Sequence, residues 1–360
     1  MTAINQKNSF NYMSNIFLLL FFFYYYFPQE IGMILYSFLL YSLLVQINIR
    51  LKPIDFTLII VSAALCFYYV FSNQAPIFDI FNIIRFSAGI LFFVLYFNNK
   101  ESFDGTKLLY LLIISIYVEA LLINSVISIY DMPNFPAEEQ GANSHFTSVV
   151  AKTWEEGGRF GQERIGLDLP IGFGGIRSVT SNILVLVLFL SKRSLINELI
   201  VLATILFLGT GTGLLSFLIY LVFKKRYIYL NLIYLLPIIL LIDNSLINKI
   251  SYEYISILFV EKNEAILGSY VDKTIYDFFI GVGKSDGSSD FAWLLILRSM
   301  GFIFFIIFLI WFTSKFNSRN VGALLVAFIL TIHYPVIFSV PGQLVIGYII
   351  SRRFKENYLL

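Results

Sequence analysis

With 360 residues, 58% of them hydrophobic and only 13% charged, the chain is too apolar to fold as an ordinary water-soluble domain. Its formal net charge of +2 forms no basic patch, because Lys and Arg punctuate the ends of apolar segments, and no nucleic-acid partner is expected. One cysteine (Cys66, inside an apolar segment) and two histidines (His145 and His333) leave no intrachain disulfide and no cysteine- or histidine-based metal site.

About 20 apolar residues suffice to cross a bilayer as a helix. In chain order the sequence predicts helices at about 9–27, 31–49, 56–72, 77–97, 108–130, 178–190, 195–209, 212–223, 227–243, 291–312, 321–334 and 342–351. The first apolar run ends in Phe27-Pro28-Gln29-Glu30 with no small-residue cleavage site, and reads as a retained helix. Pro335 and Pro341 allow a second reading of 321–351, as one long broken helix. Only two polar stretches are long, Asp131 to Arg177 and Asn244 to Asp290.

Basic residues set the topology. With the N-terminus inside, the cytoplasmic segments hold Lys7, Arg50, Lys52, Lys100, Lys107, Lys192, Arg193, Lys224, Lys225, Arg226, Lys315, Arg319, Arg352, Arg353 and Lys355, and the short external turns hold none. The expected protein is an all-α polytopic membrane protein of about 12 transmembrane helices, a single membrane domain over 1–360 with both termini cytoplasmic. Its two large loops, 131–177 and 244–290, are then extracytoplasmic.

Charges inside spans cost about 2.5–3.5 kcal/mol each at mid-bilayer, so each needs a partner, water or a task. Arg85 shares a face of its helix with Asn82 and Gly89, and Arg298 shares one with Asp290 and Gly301. Two readings stay open: an ion pair between Glu119 and one of these arginines, or an arginine-lined cavity open to the outside. Such a cavity suits a phosphate or diphosphate, whose oxygens the guanidinium fork binds in pairs. Asp55, Asp79 and Glu198 lie nearer span ends and read as capping or interfacial groups, and Trp293 reads as a membrane-belt residue.

The first long loop ends in Arg159-Phe-Gly-Gln-Glu-Arg164-Ile-Gly-Leu-Asp168-Leu-Pro170-Ile-Gly-Phe-Gly-Gly175-Ile-Arg177, an arginine- and glycine-rich run suited to cradling an anion. The second ends in Gly281-Val-Gly283-Lys284-Ser-Asp286-Gly287-Ser-Ser-Asp290, with Lys273 upstream. Its Gly-x-Gly follows no strand and opens no nucleotide-binding helix, so a dinucleotide site is rejected. A Gly209-Thr-Gly-Thr-Gly213 turn joins two short helices and offers backbone donors.

In this order the segments resemble the bacterial O-antigen polymerase family (Wzy-type), within the wider O-antigen ligase and polymerase group. Arg164, ten residues and Gly175 match the arginine–glycine signature of the family's first large loop. Gly281-Val-Gly283 with Asp290, Arg298 and Gly301 resembles the passage from its second loop into the next helix. The second loop here has no arginine, so Lys273, Lys284 or Arg298 must take the part of the second signature. It also lacks the histidine of the related ligases, which favours a polymerase.

The resemblance implies a GT-C-like glycosyltransferase at the periplasmic face of a bacterial inner membrane. It would join undecaprenyl-diphosphate-linked oligosaccharide repeat units into O-antigen or a related surface polysaccharide, with no metal or other cofactor. Implied partners are those lipid-linked oligosaccharides, membrane lipids, a chain-length regulator and a flippase. Arg164 and Arg298, with Arg177, Arg85, Arg159, Lys273, Lys284 and Gly175, would hold the diphosphate and glycan. Asp290, or else Asp168, would take the proton from the attacking hydroxyl. An O-antigen ligase and a lipid-linked oligosaccharide flippase or other transporter are the alternatives.

Overall fold

The computed structural model describes residues 20–23, 29–44, 51–72, 77–98, 104–123, 163–164, 167–168, 170, 172–173, 177–223, 274–283, 292–318, 320–331 and 336–351. They form α1 (Gln29–Leu44), α2 (Pro53–Phe71), α3 (Ile77–Asn98), α4 (Gly105–Ile123), β1 (Glu163–Arg164), β2 (Leu167–Asp168), α5 (Arg177–Leu190), α6 (Leu195–Leu208) and α7 (Gly211–Phe223). Then come α8 (Ile275–Ile280), α9 (Ala292–Thr313), α10 (Val321–Thr331), a 3-10 turn (Val336–Phe338) and α11 (Val340–Ser351). The predicted helix at 227–243, most of the one at 9–27 and most of both long loops lie outside the described residues. Within them the order is as predicted, with two additions: the two-residue antiparallel pair β1–β2 and the short helix α8. Between α10 and α11 the described residues include the 3-10 turn.

By length and composition, residues 53–71, 80–98 and 296–313 are long and apolar enough to cross a membrane. Packing points the same way. On α4, Leu108, Leu109, Leu112, Ile113 and Ile116 are buried, while Ile114, Tyr117, Val118 and Leu121 face outwards. On α2 the outward stripe is Phe56, Ile60, Phe67 and Phe71. A helix in water pairs an apolar face with a polar one; these helices are apolar on both. Ser62, Ser181, Thr204, Ser216 and Thr331 each donate to the carbonyl four residues earlier, so their hydroxyls need no water. The described fold is that of a helical membrane protein.

The chain divides into two compact units. The first comprises Met1–Asn48, Asn99–Thr210 and Ser339–Val345. In it α4 runs antiparallel to α5. Gly105 packs directly on the backbone of Leu190, and the Lys192 amide donates to the Thr106 hydroxyl at 2.9 Å. The Tyr110 hydroxyl donates to Asn197 at 2.6 Å, which brings the start of α6 to the same end. Lys107, Lys192 and Arg193 thus share one end of this bundle. At the other end Gly209, at φ +67°, closes α6 and donates its amide to Ile205 and Leu206 within that helix.

The second unit comprises Ile49–Asn98, Gly211–Phe338 and Ile346–Leu360. Its central helix is α3, buried continuously over residues 89–97. The C-terminal half of α11 lies on it, with Gly347 against Phe93 and the Tyr348 ring edge-on to Phe97 at 4.8 Å. Alongside, α2 runs antiparallel to the second half of α9. Asp55, in the first turn of α2, accepts from the Lys52 amide (3.2 Å), the Trp311 indole (2.8 Å) and the Lys315 ammonium (2.6 Å). The capping role expected of Asp55 is therefore joined to an ion pair between helices.

That ion pair is buried, with the Lys315 side chain only 10% exposed. Asp55→Ala strands an ammonium inside the protein and should cost about 3–5 kcal/mol. Replacing Asp55 and Lys315 together by leucine leaves no charge behind and should cost less than either single change. Thermal unfolding of the purified protein in detergent measures all three; a double variant as weak as the singles would contradict the pairing.

Candidate functional site

The most unusual backbone of the second unit lies where the end of the second long loop meets α9. Gly301 has φ +78° and ψ 170°, so α9 is two helices, 292–300 and 302–313, divided at a glycine. Trp293 lies 6.0 Å from Phe305 and 6.2 Å from Phe308, ring centre to ring centre. In a straight helix those positions would stand about 18 and 22 Å apart. The first half therefore turns back along the second. This limits the count of spanning segments, because the apolar stretch 296–313 is continuous in composition but not in geometry.

The turn is closed by the glycine segment before it. Where a helix ends, its last carbonyls lose their intrahelical partners. Here the Arg298 carbonyl accepts from the Val282 amide at 2.9 Å, and that of Ser299 from the Gly283 amide at 3.0 Å. Tyr69, from the end of α2, donates its hydroxyl to the carbonyls of Ile280 and Ser299, the latter at 3.0 Å. Backbones touch: a Cβ on Gly281 would stand 2.5 Å from the Gly301 nitrogen and 2.6 Å from the Ser299 oxygen. The amides of the Gly-x-Gly segment are thus taken up inside the protein. Stacking of Phe278 on Phe302, with ring centres 5.4 Å apart, seats α8 on the second half of α9.

Arg298 lies in the last turn before this break and is half-buried. A helix C-terminus carries a partial negative charge that favours a cation there, so the break lowers the cost of an arginine in an apolar segment. Arg85, on α3, is buried, with its guanidinium carbon 4.9 Å from the centre of the Phe86 ring. The helices that carry the two arginines pack together within this unit. Trp293 corrects the sequence reading. It is buried among Phe305, Phe308, Phe328 and Phe338, not placed at a lipid-facing belt, because the turned-back half-helix carries it into the interior.

In the first unit the end of the first long loop is held by a buried carboxylate. The Gly172 amide donates to both oxygens of Glu119, at 3.2 and 3.0 Å. Gly172 has φ +79°, and a Cβ there would stand 2.5 Å from the Thr180 methyl. Glu119 thus anchors the loop onto α4 through the Gly172 amide. Five residues after Gly172, Arg177 opens α5 and is buried. Thr180, Ser181 and Asn182 follow it on α5, all fully buried, and the Ser181 hydroxyl meets that of Thr210 at 2.6 Å. So much buried polarity in an apolar bundle marks a working site more often than a packing accident.

Of the residues expected at the site, Arg298 and Arg85 are on helices as predicted, and Arg177, expected at the end of the first long loop, opens α5. Arg164 and Asp168 lie in the β1–β2 ladder, where Glu163 faces Asp168 and Arg164 faces Leu167. Arg159, Gly175, Lys273, Lys284 and Asp290 lie outside the described residues. Tyr69, Glu119's hold on Gly172, and the Ser181–Thr210 pair were not singled out by sequence. Glu119 alone had a signal, being a charge within an apolar run. Comparison of the chain with protein-family models, with curated proteins and with solved structures gives no match.

Proposed function

We propose that the protein polymerises lipid-diphosphate-linked oligosaccharide repeat units, as the O-antigen polymerases it resembles do. The observation that carries this reading is Arg298 at the tip of a turned-back half-helix. Irregular backbone in a membrane protein is tolerated where it is enclosed by protein or lines a polar cavity, and an arginine at such a tip suits a diphosphate. In the transfer, the non-reducing-end hydroxyl of one unit attacks the anomeric carbon of the growing glycan. A C–O bond forms there as the bond to the lipid diphosphate breaks, and a carboxylate, Asp290 or else Asp168, takes the hydroxyl proton. Arg298, with Arg85 of the same unit, neutralises the charge that develops on the departing diphosphate.

Within each unit, the described lysines and arginines of the connectors cluster at the end away from the long loop. Lys107, Lys192 and Arg193 lie opposite Gly172, and Lys52 and Lys315 lie opposite Gly281. This placement supports the reading in which each long loop lies on the face of the membrane opposite the basic connectors. A transporter is the second reading, favoured by the divided helix, since discontinuous helices often form transport sites. A deletion strain separates the readings. Cell-surface core carrying single repeat units is the expected result, whereas bare core would sink the polymerase and point to a ligase or flippase.

A further inference from the structure

We propose that Tyr69 is the positioning residue for Arg298: its hydroxyl ties the two backbone segments of the Gly301 turn together and so fixes where that arginine stands. The inference rests on the role proposed for Arg298, but its structural half stands on geometry alone. Tyr69 is fully buried at the end of α2, and one hydroxyl reaches two carbonyls, Ile280 before the Gly281–Gly283 segment and Ser299 beside Arg298. Its ring lies against Gly283, where a Cβ would come within 2.7 Å of Cδ1. Ring and hydroxyl therefore act on the same turn, the ring by pressing on one strand of it and the hydroxyl by bridging both.

The rest of α2 gives that bridge a fixed footing. Fourteen residues earlier the same helix is pinned by Asp55 to Trp311 on the second half of α9 and to Lys315 in the turn just after it. The half-helix carrying Arg298 has no such pin at its own far end, where Trp293 makes ring contacts only among the described residues. The tip is thus set from α2. Tyr69→Phe keeps the ring on Gly283 and leaves Ser299 its bond from the Gly283 amide, so the fold survives while the bridge is lost. A buried carbonyl tolerates a missing partner better than a buried amide does.

Hydrogen exchange and kinetics on the full-length protein in detergent or vesicles test this. In Tyr69→Phe the Val282 and Gly283 amides should exchange at least about 10-fold faster, while the amides of α3 keep their wild-type rates. With lipid-diphosphate-linked repeat units as substrate, kcat/KM should fall by about 10- to 100-fold, as expected for a displaced binding group. In an Arg298→Lys background the same change should cost less than about twofold, because the group it positions is already gone. Gly283→Ala, which pushes on the ring, should reproduce the Tyr69→Phe kinetics. Unchanged exchange at Val282 and Gly283 overturns the bridge. Equal losses in both backgrounds overturn the link to Arg298. Wild-type protein that elongates nothing refutes the function proposed above, and the exchange data still decide whether Tyr69 holds the turn.

Discussion

Gly301→Ala is expected to destabilise the protein by about 2–6 kcal/mol, as the sum of two penalties. A side chain held at positive φ costs roughly 1–3 kcal/mol, and forcing a methyl into occupied space costs roughly 1–3 more. The space is occupied by backbone: a Cβ on Gly301 runs into the Phe279 carbonyl, the Ile280 carbonyl carbon and the Gly281 amide, none of which can rotate away. Gly281→Ala should behave alike, since it stands at φ +87° and meets the same turn from the other side. Gly211→Ala is the control. It has nothing within 4 Å of its Cβ position and should be neutral or slightly stabilising. Thermal unfolding in detergent compares the three, and a Gly301→Ala protein as stable as wild type would mean that α9 does not turn at Gly301.

Arg298→Lys should lower kcat/KM with a lipid-diphosphate-linked substrate by about 10²- to 10³-fold, the usual consequence of losing one oriented donor to a developing anion. Lysine keeps the charge and its favourable place at the end of the half-helix. What it loses is the planar fork that meets two diphosphate oxygens at once. Arg298→Ala should lose at least as much activity while the turn itself remains, since Val282 bonds the backbone carbonyl and not the side chain. Full activity of the lysine variant would leave Arg298 as a structural charge. Arg164→Ala, judged by the loss of long glycan chains at unchanged protein level, asks the same question of the first loop.

Helices were legible in the sequence because each is a long apolar run closed by Lys, Arg, Gly or Pro. For α3 the expected span of 77–97 and the observed Ile77–Asn98 differ by one residue. The turn inside α9 was not legible. Gly301 sits in an uninterrupted apolar stretch, and an isolated glycine in a helical pattern is ordinarily only a small penalty; the clash that requires its positive φ comes from Gly281, twenty residues upstream. Trp293 was misread for the same reason. At the outer end of a straight helix a tryptophan is a belt residue, and only the turn carries it inward among four phenylalanines.

The sites were legible in part. Arg85, Arg177 and Arg298 announced themselves as charges in or beside apolar runs, because burying such a group is costly enough to need a reason. Tyr69 announced nothing, being one of 23 tyrosines, and its meaning lies in a bond to a backbone 230 positions away. Glu119 was noticed for its charge, yet its hold on a peptide amide is one that no pairing of opposite charges would suggest. Side chains can be weighed from a sequence by their chemistry; freed backbone groups appear only once the chain is folded.

Reconstitution of the purified chain in vesicles with a single undecaprenyl-diphosphate-linked repeat unit tests the account most directly. Products carrying two, three and more units on lipid diphosphate, with one undecaprenyl diphosphate released per bond formed, are the predicted result. Unchanged single units, whether left in place or merely moved across the bilayer, would contradict it.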